Sequence, residues 1–167
     1  MTTKGANYNI LTMTLSNRLN QLRVHLAPAG PHDRQKIKTL LTSCDLPSED
    51  IEPHLSNFVV AKIDDRLVGV IGFEKLEEAC LLRSFAVDHD YRSKGIGNEL
   101  LQQIMSLAQE RDIKEAYLLT TTIAESCAKA GFETIDRTNI PEIIQKTEEF
   151  SRLCPKTAVC MRRVIPA

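Results

Sequence analysis

This chain has little that would tie it to nucleic acid, a membrane, a disulfide framework or a metal. Its 21 lysines and arginines and 22 aspartates and glutamates nearly cancel, leaving a formal net charge of −1. No whole-protein field therefore gathers nucleic acid or an anionic bilayer, and neither is an expected partner. No apolar run approaches the length of a membrane span, and the first residues lack the basic-then-apolar layout of a signal peptide. The cytoplasm is the expected compartment. The five cysteines (Cys44, Cys80, Cys127, Cys154, Cys160) are odd in number, scattered and free of any C-x-x-C pair. That pattern argues against a disulfide framework and against a zinc ribbon. The histidines His25, His32, His54 and His89 show no ligand spacing, so no structural metal is expected. Repeats and low-complexity segments are absent as well.

What is present is an ordinary globular composition, 43% hydrophobic and 26% charged over 167 residues. That length suits one domain with a sizeable core. Residues 1–20 are polar and weakly periodic, and read as a loose extension ahead of a domain over 21–167. Alternation predicts a strand at 21–27, ended by Pro28, and Asp33 is placed to cap a helix running through Ser43. A second short helix should turn Ile51 and Leu55 inward. Residues 57–63 and 67–73 read as a hairpin across Asp64, Asp65 and Arg66. After residue 97, Leu100, Leu101, Ile104, Leu107 and Ala108 recur at helical spacing. Strands at 115–120, 132–136 and 158–165 follow, separated by a short helix closed by Gly131 and by one starting at Pro141. The latter carries Ile143, Ile144, Thr147 and Phe150 along one face and stops at Pro155. The expected fold is α/β: a single mixed, mostly antiparallel sheet flanked by helices.

The chain's most specific stretch runs over residues 81–98. An apolar strand (Leu81, Leu82, Phe85, Ala86, Val87) gives way to a polar loop, Arg92-Ser93-Lys94-Gly95-Ile96-Gly97-Asn98, directly ahead of the periodic helix. Strand, glycine-bearing loop and helix start together make a phosphate cradle, because first-turn N–H groups lack intrahelical partners and glycine admits close approach. A Walker A loop does not fit, since Lys94 precedes Gly95. A dinucleotide fingerprint does not fit either: Leu100 stands where the third glycine belongs, and seven residues separate Val87 from Gly95.

The spacing Val87-x-x-x-x-Arg92-x-x-Gly95-x-Gly97, with its flanking strand and helix and the later Gly131-Phe132 pair, resembles the acetyl-CoA pyrophosphate loop of the GNAT superfamily of N-acetyltransferases. Within it, residues 81–87, the run Tyr117-Leu118-Leu119-Thr120-Thr121-Thr122, and Glu149-Phe150-x-x-Leu153-Cys154-Pro155-x-x-Ala158 resemble the arsenic-resistance N-acetyltransferase group. The Leu-Thr-Thr run is also similar to N-acetylglutamate synthases, which makes an amino-acid-like acceptor an expectation.

The resemblance implies acetyl-CoA as co-substrate and direct transfer to a small amine. Backbone N–H groups of Arg92, Ser93, Lys94, Gly95, Ile96, Gly97 and Asn98 would hold the pyrophosphate, with Phe85, Ala86 and Val87 beside the pantetheine arm. An N–H of that same strand would support the oxyanion, a donor worth on the order of 3 kcal/mol in comparable enzymes. Cys127 occupies the position where many relatives carry a tyrosine that protonates the leaving thiolate; a water or Cys127 itself could serve instead, or the thiolate leaves without a dedicated acid, and packing near the cofactor as a small helix residue is the preferred reading of Cys127. No catalytic acid or base is assigned; Glu74, Glu77, Glu78 and His89 are the base candidates. Arg83, a guanidinium in an apolar strand, must be paired or face a polar cavity. It would either grip an acidic group of the acceptor bidentately or form a salt bridge to Glu74 or another carboxylate. Thr120 and Thr121 are candidate hydroxyl contacts to the acceptor. Cys154 and Cys160 raise a minor reading as soft ligands for trivalent arsenic, and a non-catalytic acyl-CoA sensor is the alternative from another class. The pattern leaves a homodimer open.

Overall fold

Asp64 adopts a left-handed conformation (φ 52°), a region aspartate tolerates in tight turns. The strands on either side of it, β2 (Phe58–Ile63) and β3 (Arg66–Leu76), pair antiparallel as the hairpin expected from the sequence. The computed structural model describes residues 23–167. Within them, β1 (Val24–Pro28) lies outside β2, and β4 (Ala79–Val87) follows β3 after the turn at Glu77 and Glu78. With β5 (Glu115–Thr120), β6 (Glu133–Ile135) and β7 (Val159–Val164) they form one seven-stranded sheet, in the order β1-β2-β3-β4-β5-β7-β6. Every pairing is antiparallel except β4 with β5.

Strand alternation sends apolar side chains to both faces, and each face is covered. On one, α2 (Ile96–Glu110) buries Leu100, Leu101, Ile104 and Ala108 against Val59, Ile71, Phe73 and Leu82. On the other, α1 (Arg34–Ser43) packs Ile37, Leu40 and Leu41 on Phe58, Val60 and Val70. Further along that face, the short α4 (Glu142–Gln145) sets Ile144 against Leu81, Tyr117 and Cys160. Gly72 lets the Phe58 ring lie directly on β3: a Cβ there would fall 2.1 Å from the ring. The short α3 (Ala124–Lys129) is closed by Gly131 at φ +90°.

Several boundaries differ from the sequence reading. The first strand includes Pro28, which an edge strand tolerates because no neighbour needs its N–H. Asp33 does not cap α1 through its side chain. Its buried carboxylate instead accepts from the Gly30 N–H at 2.9 Å and lies 2.6 Å from Lys62 Nζ. Burial pushes that carboxyl up, but the Gly30 amide and Lys62 outweigh it, leaving Asp33 below the usual carboxylate range. The second short helix is a 3-10 turn, Glu52–Asn57. The helix expected from Pro141 to Pro155 is broken: α4 ends at Gln145, and a π turn follows at Glu149–Leu153. The extra residue in that turn shifts the helical phase, so Glu149 is buried while Phe150 is only half-buried. The expected extension over residues 1–20 lies outside the described residues.

Candidate active site

The site begins where the sheet splits. β4 and β5 pair only through Ala79–Glu115, Cys80–Ala116 and Leu81–Tyr117. β5 then continues along β7 as far as Thr120, while β4 carries on along β3 to Val87. Their far ends have no common ladder, so a cleft opens between two strands of one sheet. β4 also changes register there: Arg83 faces Gly72 and Ala86 faces Val70, so Ser84 and Phe85 together oppose Ile71. This is a β-bulge, and Ser84 sits in the left-handed region at φ 56°. Serine pays for that conformation, and such strain concentrates where a strand must re-aim its backbone toward a ligand.

A cavity of about 620 Å³ fills the split. Phe85, Ala86 and Val87 form one wall and Thr121, Thr122, Ile123, Ser126 and Cys127 the other. Arg92, Ser93, Gly95, Ile96, Gly97 and Asn98 close one end, with Tyr91 beside them and Cys44, Asp45 and Leu46 from the end of α1 opposite. Gly95 precedes α2 at φ +88° and Ser93 also has positive φ, 60°. Successive turns of this kind aim backbone N–H groups at one point, just where the helix start leaves its own N–H groups unpaired. Arg92 is pinned rather than loose: its Nε donates to the Val87 carbonyl at 3.0 Å and its Nη2 lies 3.5 Å from Cys44 Sγ. Lys94 is exposed and outside the cavity lining. A Cβ on Gly97 would meet the Phe85 ring at 3.4 Å and Val87 Cγ2 at 3.9 Å, ordinary van der Waals contacts with no clash.

Cys127 lines this cavity while packing into the core, and burial pushes its thiol up. Among the acceptor-side candidates, Thr121 opens on the cavity. Thr120 is buried, and its hydroxyl accepts from the N–H groups of Thr122 and Ile123 at 3.2 and 3.0 Å, fixing the bend into α3. Of the base candidates, Glu77, Glu78 and His89 are exposed, and Glu78 pairs with Lys114.

Arg83 lies just before the bulge with its side chain 0% exposed. Its Nη1 and Nη2 donate to the two oxygens of Asp50, at 2.8 and 2.5 Å, and its Nε to Ser84 Oγ at 3.3 Å. Glu149 Oε2 is 3.5 Å from Nη2 and Glu74 Oε2 3.8 Å from Nη1, with His54 beyond Glu74 at 3.8 Å. Of the two readings of Arg83, this geometry matches the ion-paired one, with Asp50 as the main partner: the guanidinium is enclosed and both terminal nitrogens are taken. Burial pushes the Asp50 carboxyl up, but the Arg83 bonds overcome that and hold it low. Glu149 goes the other way: burial pushes it up, and Arg83 and the Cys154 thiol offset only part of this. The Cys154 thiol donates to Glu149 Oε1 at 3.2 Å and is itself pushed to about 12 by burial and that carboxylate. Asp50 does not stand out in the sequence, and Glu149 does so only as the first residue of the 149–158 resemblance, with no role attached. The one available signal was the need of a buried arginine for partners.

The acetyltransferase (GNAT) family model matches residues 19–132. The chain belongs to that family. Acetyl-CoA-dependent acetyl transfer comes with membership in the GNAT family. An uncharacterised N-acetyltransferase of Chlorobaculum tepidum is 29% identical over 67% of this chain and 70% of its own length. An amino-acid acetyltransferase of Neisseria meningitidis is 29% identical over 59% of this chain, which spans only 23% of that enzyme. The fold is shared with N-acetylglutamate synthase of Neisseria gonorrhoeae, solved with coenzyme A and N-acetyl-glutamate. That match has a TM-score of 0.76 at 22% identity, covering 86% of this chain and 35% of the other. Among the described residues, no helix is long and apolar enough to cross a membrane.

Proposed function

We propose that this GNAT protein moves the acetyl group of acetyl-CoA directly to the amine of a small, amino-acid-like acceptor. The observation that carries this reading is the split between β4 and β5, which joins a strand edge (Phe85, Ala86, Val87) to a helix-start anion cradle in one continuous cavity. A thioester arm hydrogen-bonded along β4 from the cradle would bring its carbonyl to the bulge at Ser84, where the strand's N–H groups are turned out of the ladder. The amine attacks that carbonyl, the tetrahedral intermediate collapses, and the CoA thiolate leaves. Cys127, a buried thiol with its proton held on, is poorly suited to reprotonate that thiolate, which leaves readily without a dedicated acid.

The amino-acid acetyltransferase relatives and the fold shared with N-acetylglutamate synthase support an amino-acid acceptor. In this reading Thr121 meets the acceptor, while Arg83 and Thr120 act from beneath, holding Asp50 and the entry into α3. The resemblance of 149–158 to arsenic-resistance N-acetyltransferases adds arsenic-containing amino acids to the acceptors worth testing. The test is CoA-thiol release from acetyl-CoA across amino acids, arsenic-containing amino acids, polyamines and aminoglycosides. Turnover confined to amino acids supports the proposal, and turnover confined to aminoglycosides or polyamines overturns it.

A further inference from the structure

Three carboxylates, Asp50, Glu74 and Glu149, converge on one guanidinium, and Asp50 alone occupies both of its terminal nitrogens. The cluster is therefore short of positive charge. Glu149 is the member left incomplete: its side chain is 9% exposed, and its Oε2 is buried without a hydrogen-bond partner among the described residues. Its one charge contact is Arg83 Nη2 at 3.5 Å, and a buried carboxylate oxygen that accepts no hydrogen bond is costly and calls for a ligand. It is also held by an irregular element, since the π turn at Glu149–Leu153 rotates it inward, and π turns recur at functional sites. Through Arg83 the cluster is bonded to Ser84, the bulge residue at the cleft. Asp50 and Glu74, about four-fifths buried, leave it an opening to solvent.

We propose that this cluster receives the ammonium end of the acceptor and that Glu149 takes its proton. The inference rests on the acetyltransferase reading above and names the base that reading leaves open. The acceptor enters as R–NH3+, and Glu149 Oε2 accepts one proton, freeing the nitrogen lone pair. That pair forms the C–N bond to the thioester carbonyl carbon, and the C–S bond breaks with its electrons on sulfur. The second nitrogen proton goes to the thiolate through solvent, and the proton on Glu149 leaves past Asp50 and Glu74. The charged and titratable groups around Glu149 are Arg83 on β4, Glu74 on β3, Asp50 after α1 and Cys154 after the π turn. His54 lies beyond Glu74, and Arg137 beyond Cys154. Burial dominates these influences and favours the protonated form, bringing the carboxyl toward the pH at which a general base works well.

The experiment measures CoA-thiol release against pH for the wild type, Glu149→Gln and Cys154→Ala, with L-glutamate, L-lysine and spermidine as amines, alongside acetyl-CoA affinity by calorimetry. With the amine that the wild type uses, Glu149→Gln should lose roughly 100-fold or more in kcat/KM near neutrality. Its acetyl-CoA affinity should stay unchanged, and the deficit should shrink as pH approaches the amine's own pKa. Cys154→Ala removes a hydrogen bond that favours the ionised carboxylate, so the acidic limb of kcat/KM should move to higher pH. Unchanged kcat/KM in Glu149→Gln overturns the assignment while leaving the acetyltransferase reading intact. If Glu149→Gln does not fold, an unmoved limb in Cys154→Ala overturns it. A wild type that binds acetyl-CoA but releases no thiol with any of these amines overturns both.

Discussion

Arg83 is the residue on which the proposed acceptor side of the site hangs. Its guanidinium is fully enclosed, donates two hydrogen bonds to one carboxylate and lies within ion-pair range of two more. Removing it would leave Asp50, Glu74 and Glu149 facing one another with no cation among them. Arg83→Ala should therefore lower unfolding free energy by about 3–5 kcal/mol, read by urea denaturation. A loss within experimental error would show that solvent already satisfies those carboxylates. The five cysteines differ in the same local way. Cys80, Cys127 and Cys160 are buried, and the half-buried Cys154 holds its proton up to about 12. Cys44 is half-buried and lines the cavity proposed for acetyl-CoA. Iodoacetamide at neutral pH should modify Cys44 first, and saturating acetyl-CoA should slow that labelling, both followed by peptide mass spectrometry. Arg83 was legible as a polar residue in an apolar strand needing a partner. Its partners were not, because Asp50 lies 33 positions earlier and Glu149 comes from a distant turn.

At the scale of elements, the loop and helix at residues 92–110 do what their residues announce. Glycine at position 95 supplies a positive φ ahead of a helix whose apolar face is continuous, so the cradle forms at the start of a rigid, well-buried rod. Because a methyl on Gly97 would make only ordinary van der Waals contacts, size and charge can be separated there. Gly97→Glu should weaken acetyl-CoA binding by about a hundredfold or more, since a carboxylate would stand against the pyrophosphate. Gly97→Ala should bind nearly as the wild type does; calorimetry reads both. Equal affinity of all three proteins would remove the pyrophosphate from this loop. The π turn is the opposite case. Periodicity over 141–155 suggested one helix with Phe150 inward. The chain instead inserts a residue, and Glu149 takes the buried position.

Across the whole molecule, these carboxylates give stability a pH dependence of two signs. Asp33 and Asp50 sit below the usual range, so the stability they contribute is present at neutral pH and is lost as acid protonates them. Glu149 sits above it, so the native state holds a proton the unfolded chain has released, and stability falls as pH rises from the ordinary glutamate value through the raised one. Glu149→Gln should abolish the second dependence and leave the first, so its urea midpoint should exceed the wild type's by a margin that grows with pH across that window. A constant margin would place Glu149 at its ordinary value. By itself, the sequence determined the element order, the hairpin, the amphipathic α2 and the anion loop ahead of it. Each of these is a local consequence of periodicity, turn residues and helix-start chemistry, set within a few residues of one another. Tertiary structure alone decided where β4 and β5 part, that β4 bulges at Ser84, and which carboxylates gather on Arg83. Those depend on register between strands and on the phase of a distant turn, which no stretch of neighbouring residues encodes.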